Sequence, residues 1–160
     1  MWNASGSTSG RWAARSESSA LGLDGLYTPQ MVIDGRSDVV GSDRAGVLSA
    51  VSAAGLAARA AVPLALSRTS DGVSVAVGAG AGGPATVLLA GFDSRHVTVV
   101  RHGENAGSTL TESNIVRGLL RAGDWRGTAV TLHAAVPPGE HLAALLQAPD
   151  GRILGAARLD

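Results

Sequence analysis

From residue 62 to residue 160 the chain is built of short apolar runs cut by Gly, Pro and Asp, and this spacing limits the fold more than any other feature. Val62, Leu64 and Leu66 alternate with Pro63, Ala65 and Ser67. Beyond Asp71-Gly72, Val73, Val75 and Val77 alternate with Ser74, Ala76 and Gly78. A period of two puts alternate residues on one face, the pattern of a half-buried strand. Thr86 to Phe92 and Val97 to Val100 read as two more strands, with Asp93-Ser94 as the turn between them. Thr128 to Leu132, Leu142 to Gln147 and Arg152 to Leu159 complete the set, the last two joined by the hairpin signal Asp150-Gly151. Strands spaced roughly 8–12 residues apart predict an antiparallel β-sandwich. Residues 109–121 admit two readings. Thr109-Leu110-Thr111-Glu112 fits a helix capping box, and Ile115, Val116, Leu119 and Leu120 have helical spacing. Gly118 and the β-branched Thr109, Thr111, Ile115 and Val116 oppose a helix, so a long, bent strand is expected.

Residues 11–61 follow a different pattern. Arg11 to Leu21 reads as a helix ended by Gly22. Tyr27-Thr28-Pro29-Gln30 leads into Met31-Val32-Ile33, Asp34-Gly35 is a two-residue hairpin signal, and Val39 and Val40 lie on the returning strand. Gly41-Ser42-Asp43 opens a helix over residues 43–60, in which Ser42 or Asp43 can accept a bond from a free N–H of the first turn. On a wheel of about 100° per residue, Val47, Leu48, Val51, Ala54, Gly55 and Ala58 gather on one side. The expected fold class is α+β: a disordered N-terminus 1–10, a partial α/β domain 11–61 and a β-rich domain 62–160.

Hydrophobic residues make up 45% of the chain, enough to bury a core, but only three Trp, one Tyr and one Phe occur, so that core is aliphatic. Thirteen Arg and no Lys balance thirteen acidic residues. A nucleic acid or an anionic membrane would call for a basic excess, so neither is an expected partner. No run approaches the ~18–20 apolar residues of a membrane span. Zero cysteines exclude disulfides, thiolate zinc sites and thiol nucleophiles. The opening Met1 to Gly10 lacks the basic start and apolar stretch of a secretory signal, so no export signal is expected in the chain as written.

Few motifs carry chemistry. Gly78 to Gly83 contains G-x-G-x-x-G, but the short β-prone run after Pro84 is no crossover helix to face a pyrophosphate. A flexible hairpin loop is the expected reading, and the absence of Lys excludes a P-loop. Asp93-Ser94-Arg95-His96 lacks a separately placed orienting group for a triad, so Arg95 and His96 are expected to face solvent. Asp93, His96, His102 and Glu104 could supply N and O metal ligands at no standard spacing; isolated surface histidines are the plainer reading, as for His133 and His141. The polar loop His102 to Thr109 holds two glycines able to take unusual backbone angles, which could bring Glu104 and Asn105 to a partner or simply shape an ordered connection. Thr28-Pro29 before a strand is either a cis-proline turn that presents its backbone or an ordinary trans proline.

An ordered set of segments adds to this reading: Ala20 to Arg36, Gly41 to Arg44, Phe92 to His96, Gly103 to Gly107, Thr109-Leu110-Thr111, Asn114 to Arg117 and Ile153 to Ala157. From about residue 11 to the C-terminus it resembles the exported bacterial proteins called domain of unknown function 1223, a thioredoxin-like family. The resemblance implies a C-terminal ββα remnant of a thioredoxin-like fold followed by the β-sandwich-like domain. It implies Thr28-Pro29 as the cis-proline turn and a periplasmic or secreted setting. Members carry a signal segment and a first half with a Cys-x-x-Cys motif, and no residue here matches either, so the chain reads as truncated and redox-inactive. The uncovered side of the strand at 30–34 and of helix 43–60 is then expected to repack on the β domain or to pair with another chain, giving a homo-oligomer. The expected role is a binding module for an unknown protein or small ligand, through Glu104, Asn105, Thr109, Asn114, Arg117, Thr28 and Pro29. No catalytic residue, metal or cofactor is assigned. Two alternatives stand beside it: a truncated form of an exported thiol–disulfide protein, and a metal-dependent or hydrolytic enzyme using Asp93, His96, His102 and Glu104.

Overall fold

The computed structural model of the chain describes residues 27, 29–57, 61–103 and 106–159. The expected disordered stretch 1–10, the helix Arg11 to Leu21, Thr28, Ala58, Glu104 and Asn105 lie outside the described residues. Among the described residues there are one helix and nine strands, the strands forming three antiparallel sheets.

β1 (Gln30–Ile33) and β2 (Ser37–Val40) form a two-stranded hairpin. Its turn residues Asp34 and Gly35 have φ of 51° and 59°, the left-handed pair whose twist suits a two-residue hairpin. In α1 (Arg44–Ala57) Asp43 Oδ1 accepts the Gly46 N–H at 3.0 Å, satisfying one of the free donors of the first turn. α1 packs on β1 and β2 through half-buried Val47, Ala50 and Ala54. The expected apolar stripe is therefore only partly the packed one: Leu48 is 55% and Val51 50% exposed. The hairpin is too narrow to cover a face that wide.

β3 (Leu64–Arg68), β4 (Val73–Val77) and β7 (Val130–Ala134) form a sheet in the order β3-β4-β7. β5 (Ala85–Val99), β6 (Thr109–Trp125), β8 (His141–Gln147) and β9 (Ile153–Leu159) form another in the order β6-β5-β8-β9. The two sheets share one core. Val73, Val75 and Val77 of β4 pack with Val87 and Leu89 of β5 and with Leu142, Ala144 and Leu146 of β8. Each such Val or Leu side chain contributes roughly 1.5–3 kcal/mol on burial. Trp125 is wholly buried among them, and its Nε1–H donates to the Gly78 carbonyl at 3.0 Å, so the indole leaves no polar atom unpaired.

Several expectations need correction. Thr86 to Phe92 and Val97 to Val99 lie on one continuous strand, so Asp93-Ser94 is not a turn; Val100 lies just beyond its end. His96 is half-buried, while Arg95 is exposed as expected. Residues 109–121 do lie within a long strand, β6, as expected. Gly78 to Gly83 is not a hairpin loop: β4 and β5 belong to different sheets, and the glycines carry the chain from one to the other. Gly80 and Gly82 pass close to Val62 and Leu154, which leaves little room for a side chain at either.

The β1–β2 turn is fastened to the β8–β9 turn. Ile153 N–H donates to the Asp34 carbonyl at 2.9 Å, and a Cβ at Gly35 would overlap the Gly151 carbonyl oxygen. The hairpin is thus anchored to the β-rich part, while on the outer side of α1 Leu48 and Val51 stay exposed.

Candidate functional site

β8 accompanies β5 only from Thr86 to Phe92. Past that point Asp93–Val99 pairs with Thr109–Ile115 alone, giving a two-stranded arm. Seven residues at about 3.4 Å each carry it roughly 24 Å beyond the core. At its base Gly91 stands opposite Gly118. A side chain at either would collide with Pro138, so the glycine pair lets residues 137–139 cross the hairpin.

A polar clasp binds arm to core beside this crossing. Glu140 N–H donates to Asp93 Oδ1 at 3.2 Å, and Arg117 Nε lies 3.4 Å from Asp93 Oδ2. Ser94 donates to Glu140 Oε2 from its N–H at 3.4 Å and from its hydroxyl at 3.2 Å. His141 Nε2 is 4.0 Å from the same oxygen, and its ring lies against Phe92 with centroids 5.4 Å apart. The Arg158 guanidinium sits 5.1 Å from the centre of the Phe92 ring. In this arrangement the Ser94 hydroxyl donates to a carboxylate that the next hydrogen bonds hold in place. It is not set on an imidazole base, as a serine nucleophile would be. The chemistry on view is fastening.

Of the expected binding residues that are described, the structure brings Arg117 to Asp93 and sets Thr109, Asn114 and Pro29 apart from it; Thr28, Glu104 and Asn105 lie outside the described residues. Arg117 is the extra residue of a bulge, since Val116 pairs with Phe92 and Gly118 with Gly91. Asn114, exposed, takes a φ of 53° between the pairs Ser113–Arg95 and Ile115–Asp93. Thr109 lies opposite Val99 at the far end of the arm. Pro29 is on another element; its carbonyl accepts the Gly41 N–H at 2.8 Å and its ring rests on Gly41, closing the open end of the β1–β2 hairpin. Of the metal or hydrolytic set, Glu104 lies outside the described residues and the other three are set apart. Asp93 and His96 alternate to opposite faces of β5, His96 stands opposite Glu112, and His102 is exposed in the tip loop. Among the described residues no group of three or more His, Asp or Glu could hold a metal. Gly103 and Gly107 in that loop do take the positive φ expected of them, 89° and 88°. Sequence reasoning missed Glu140, which reaches Ser94 across 46 residues and carries no motif.

Three carboxylates, half-buried Asp38 and exposed Asp124 and Asp150, are held below the ordinary range by their donors. Asp38 accepts the Tyr27 hydroxyl at 2.5 Å and Gln30 Nε2 at 3.1 Å, and the same bond raises the Tyr27 pKa. Asp124 is lowered by Arg121 at 2.6 Å and Asp150 by Arg152 at 2.6 Å.

A family model described as "Protein of unknown function (DUF1223)" matches residues 5–147, most of the chain. The chain belongs to the DUF1223 family. A crystal structure of an Agrobacterium tumefaciens protein is similar to this DUF1223 chain at 26% identity and a TM-score of 0.78, over 98% of this chain and 72% of that one. No curated protein matches it.

Proposed function

We propose that this DUF1223 protein is a non-enzymatic interaction module. In this reading β1, β2 and α1 are the remnant of a thioredoxin-like fold, with Thr28-Pro29 as its cis-proline turn, joined to a β-sandwich-like domain over β3–β9. The open side of α1 pairs with a second copy of the chain. One observation carries the reading: Leu48 and Val51 are about half exposed on a helix whose other side is packed. Met31 and Val40, on the hairpin beneath, are also exposed. Burial returns roughly 25 cal/mol per Å², so covering such a face recovers several kcal/mol.

Zero cysteines support redox inactivity, because thiol–disulfide exchange requires a thiolate. An insulin-reduction assay on the pure chain is expected to be blank, and turnover above background would overturn that part of the reading. Pairing through α1 is tested with the double variant Leu48→Glu/Val51→Glu. Light scattering on a sizing column is expected to show the wild type as a dimer and the variant as a folded monomer. Equal masses for the two would place the interface elsewhere.

A further inference from the structure

The far half of the arm is an open sheet edge with an unbalanced face. β8 has left β5 by Phe92, so the edge of Arg95–Val99 opposite β6 has no strand beside it among the described residues. Arg95, Val97 and Val99 alternate to one face of this strand, and Arg101 follows two residues on. All four are exposed, Val97 at 46% and Val99 at 61%. The β6 residues opposite the first three are Ser113, Thr111 and Thr109, hydroxyls without a carboxylate. The arm's acid Glu112 lies opposite His96 on the other face and accepts the Thr98 hydroxyl at 2.9 Å, while Asp93 at the base is taken by Arg117 and Glu140. Neither Arg95 nor Arg101 has a hydrogen-bond or ion-pair partner among the described residues.

From this placement we infer that the free β5 edge of the arm binds an extended acidic segment of a partner protein by strand addition. The unpaired backbone groups supply the main-chain ladder, as at other open edges. Side chains then select the partner: carboxylates six positions apart meet Arg95 and Arg101, and two β-branched residues between them cover Val97 and Val99. The two valines favour an alternating peptide over a simple polyanion. This surface is separate from the α1 face and stands however the pairing experiment turns out.

The test uses the full chain and two seven-residue peptides. Both have Val at the third and fifth positions and Thr at the second, fourth and sixth; one has Glu at each end and the other Lys. On titration, amide shifts of the wild-type protein are expected to move along 95–101 with the Glu peptide and not with the Lys peptide. In Arg95→Glu/Arg101→Glu the preference is expected to reverse, with affinity for the Glu peptide falling about tenfold or more. Among the described residues these arginines make no hydrogen bond or ion pair, so the variant is expected to keep the wild-type spectrum elsewhere. The wild-type comparison of the two peptides decides the matter if it does not. No binding of the Glu peptide, equal binding of the two peptides by the wild type, or shifts confined to another surface would overturn the inference, as would single-stranded DNA moving the same amides equally.

Discussion

Gly35 shows how one residue can tie two parts of the chain together. Its φ is 59°, and its α-carbon lies where a methyl group would meet the Gly151 carbonyl. A left-handed conformation costs an ordinary L-residue about 1–2 kcal/mol, and at Gly35 the overlap adds to it. Gly83 has a φ of 75° but open space around it. Gly35→Ala is therefore expected to lose about 2 kcal/mol or more in urea unfolding, and Gly83→Ala only about 1 kcal/mol. Similar losses would contradict the docking of the two turns. The lowered carboxylates make a second residue-scale statement. Asp38, Asp124 and Asp150 titrate below their ordinary values when folded. Their contribution is present above the unfolded pKa of about 4 and is lost as pH falls through the folded values. Asp124 and Asp150 are exposed and Asp38 is only half-buried, so the acid loss is small and salt weakens it. Tyr27→Phe is expected to raise the Asp38 pKa in an NMR titration while leaving Asp124 and Asp150 where they are. At this scale Asp34-Gly35 could be read directly, because two adjacent residues contain the whole turn. Glu140 could not, because its partners come from a strand that ends 41 residues earlier.

The long β5–β6 hairpin is the element whose reading changed most. Polar Asp93 and Ser94 between two apolar runs look like a turn, since local sequence does not show that Arg117 and Glu140 will satisfy them in an extended strand. The alternation in β4 and β8 was legible because both strands have one face on the shared core. The arm has no such core, and its exposed strands carry mixed residues whose period says little. Amides of Arg95–Val99 are expected to exchange with deuterium faster than those of Val87 and Leu89, which are wholly buried. Glu140→Ala is expected to speed exchange at residues 94–96 further without changing Val87 or Leu89. Uniform protection along β5 would contradict the division into core and arm.

Over the whole molecule, stability and interaction belong to different parts. The β3–β9 core buries its apolar side chains by itself, with Trp125 and Val75 inaccessible to solvent. The hairpin and α1 are anchored at one turn and leave Leu48 and Val51 open. The turn docks on the β-rich part, and pairing of α1 with another chain is the proposed part of the account. An amphipathic pattern shows that a helix has a side to bury, not which surface covers it. In the proposed reading that surface belongs to a second copy. Sedimentation equilibrium of the unmodified chain over a hundredfold concentration range is the most direct check. Pairing through α1 predicts a species of twice the 16.0 kDa chain mass at micromolar concentration, dissociating on dilution. A single 16.0 kDa species across the whole range would contradict it.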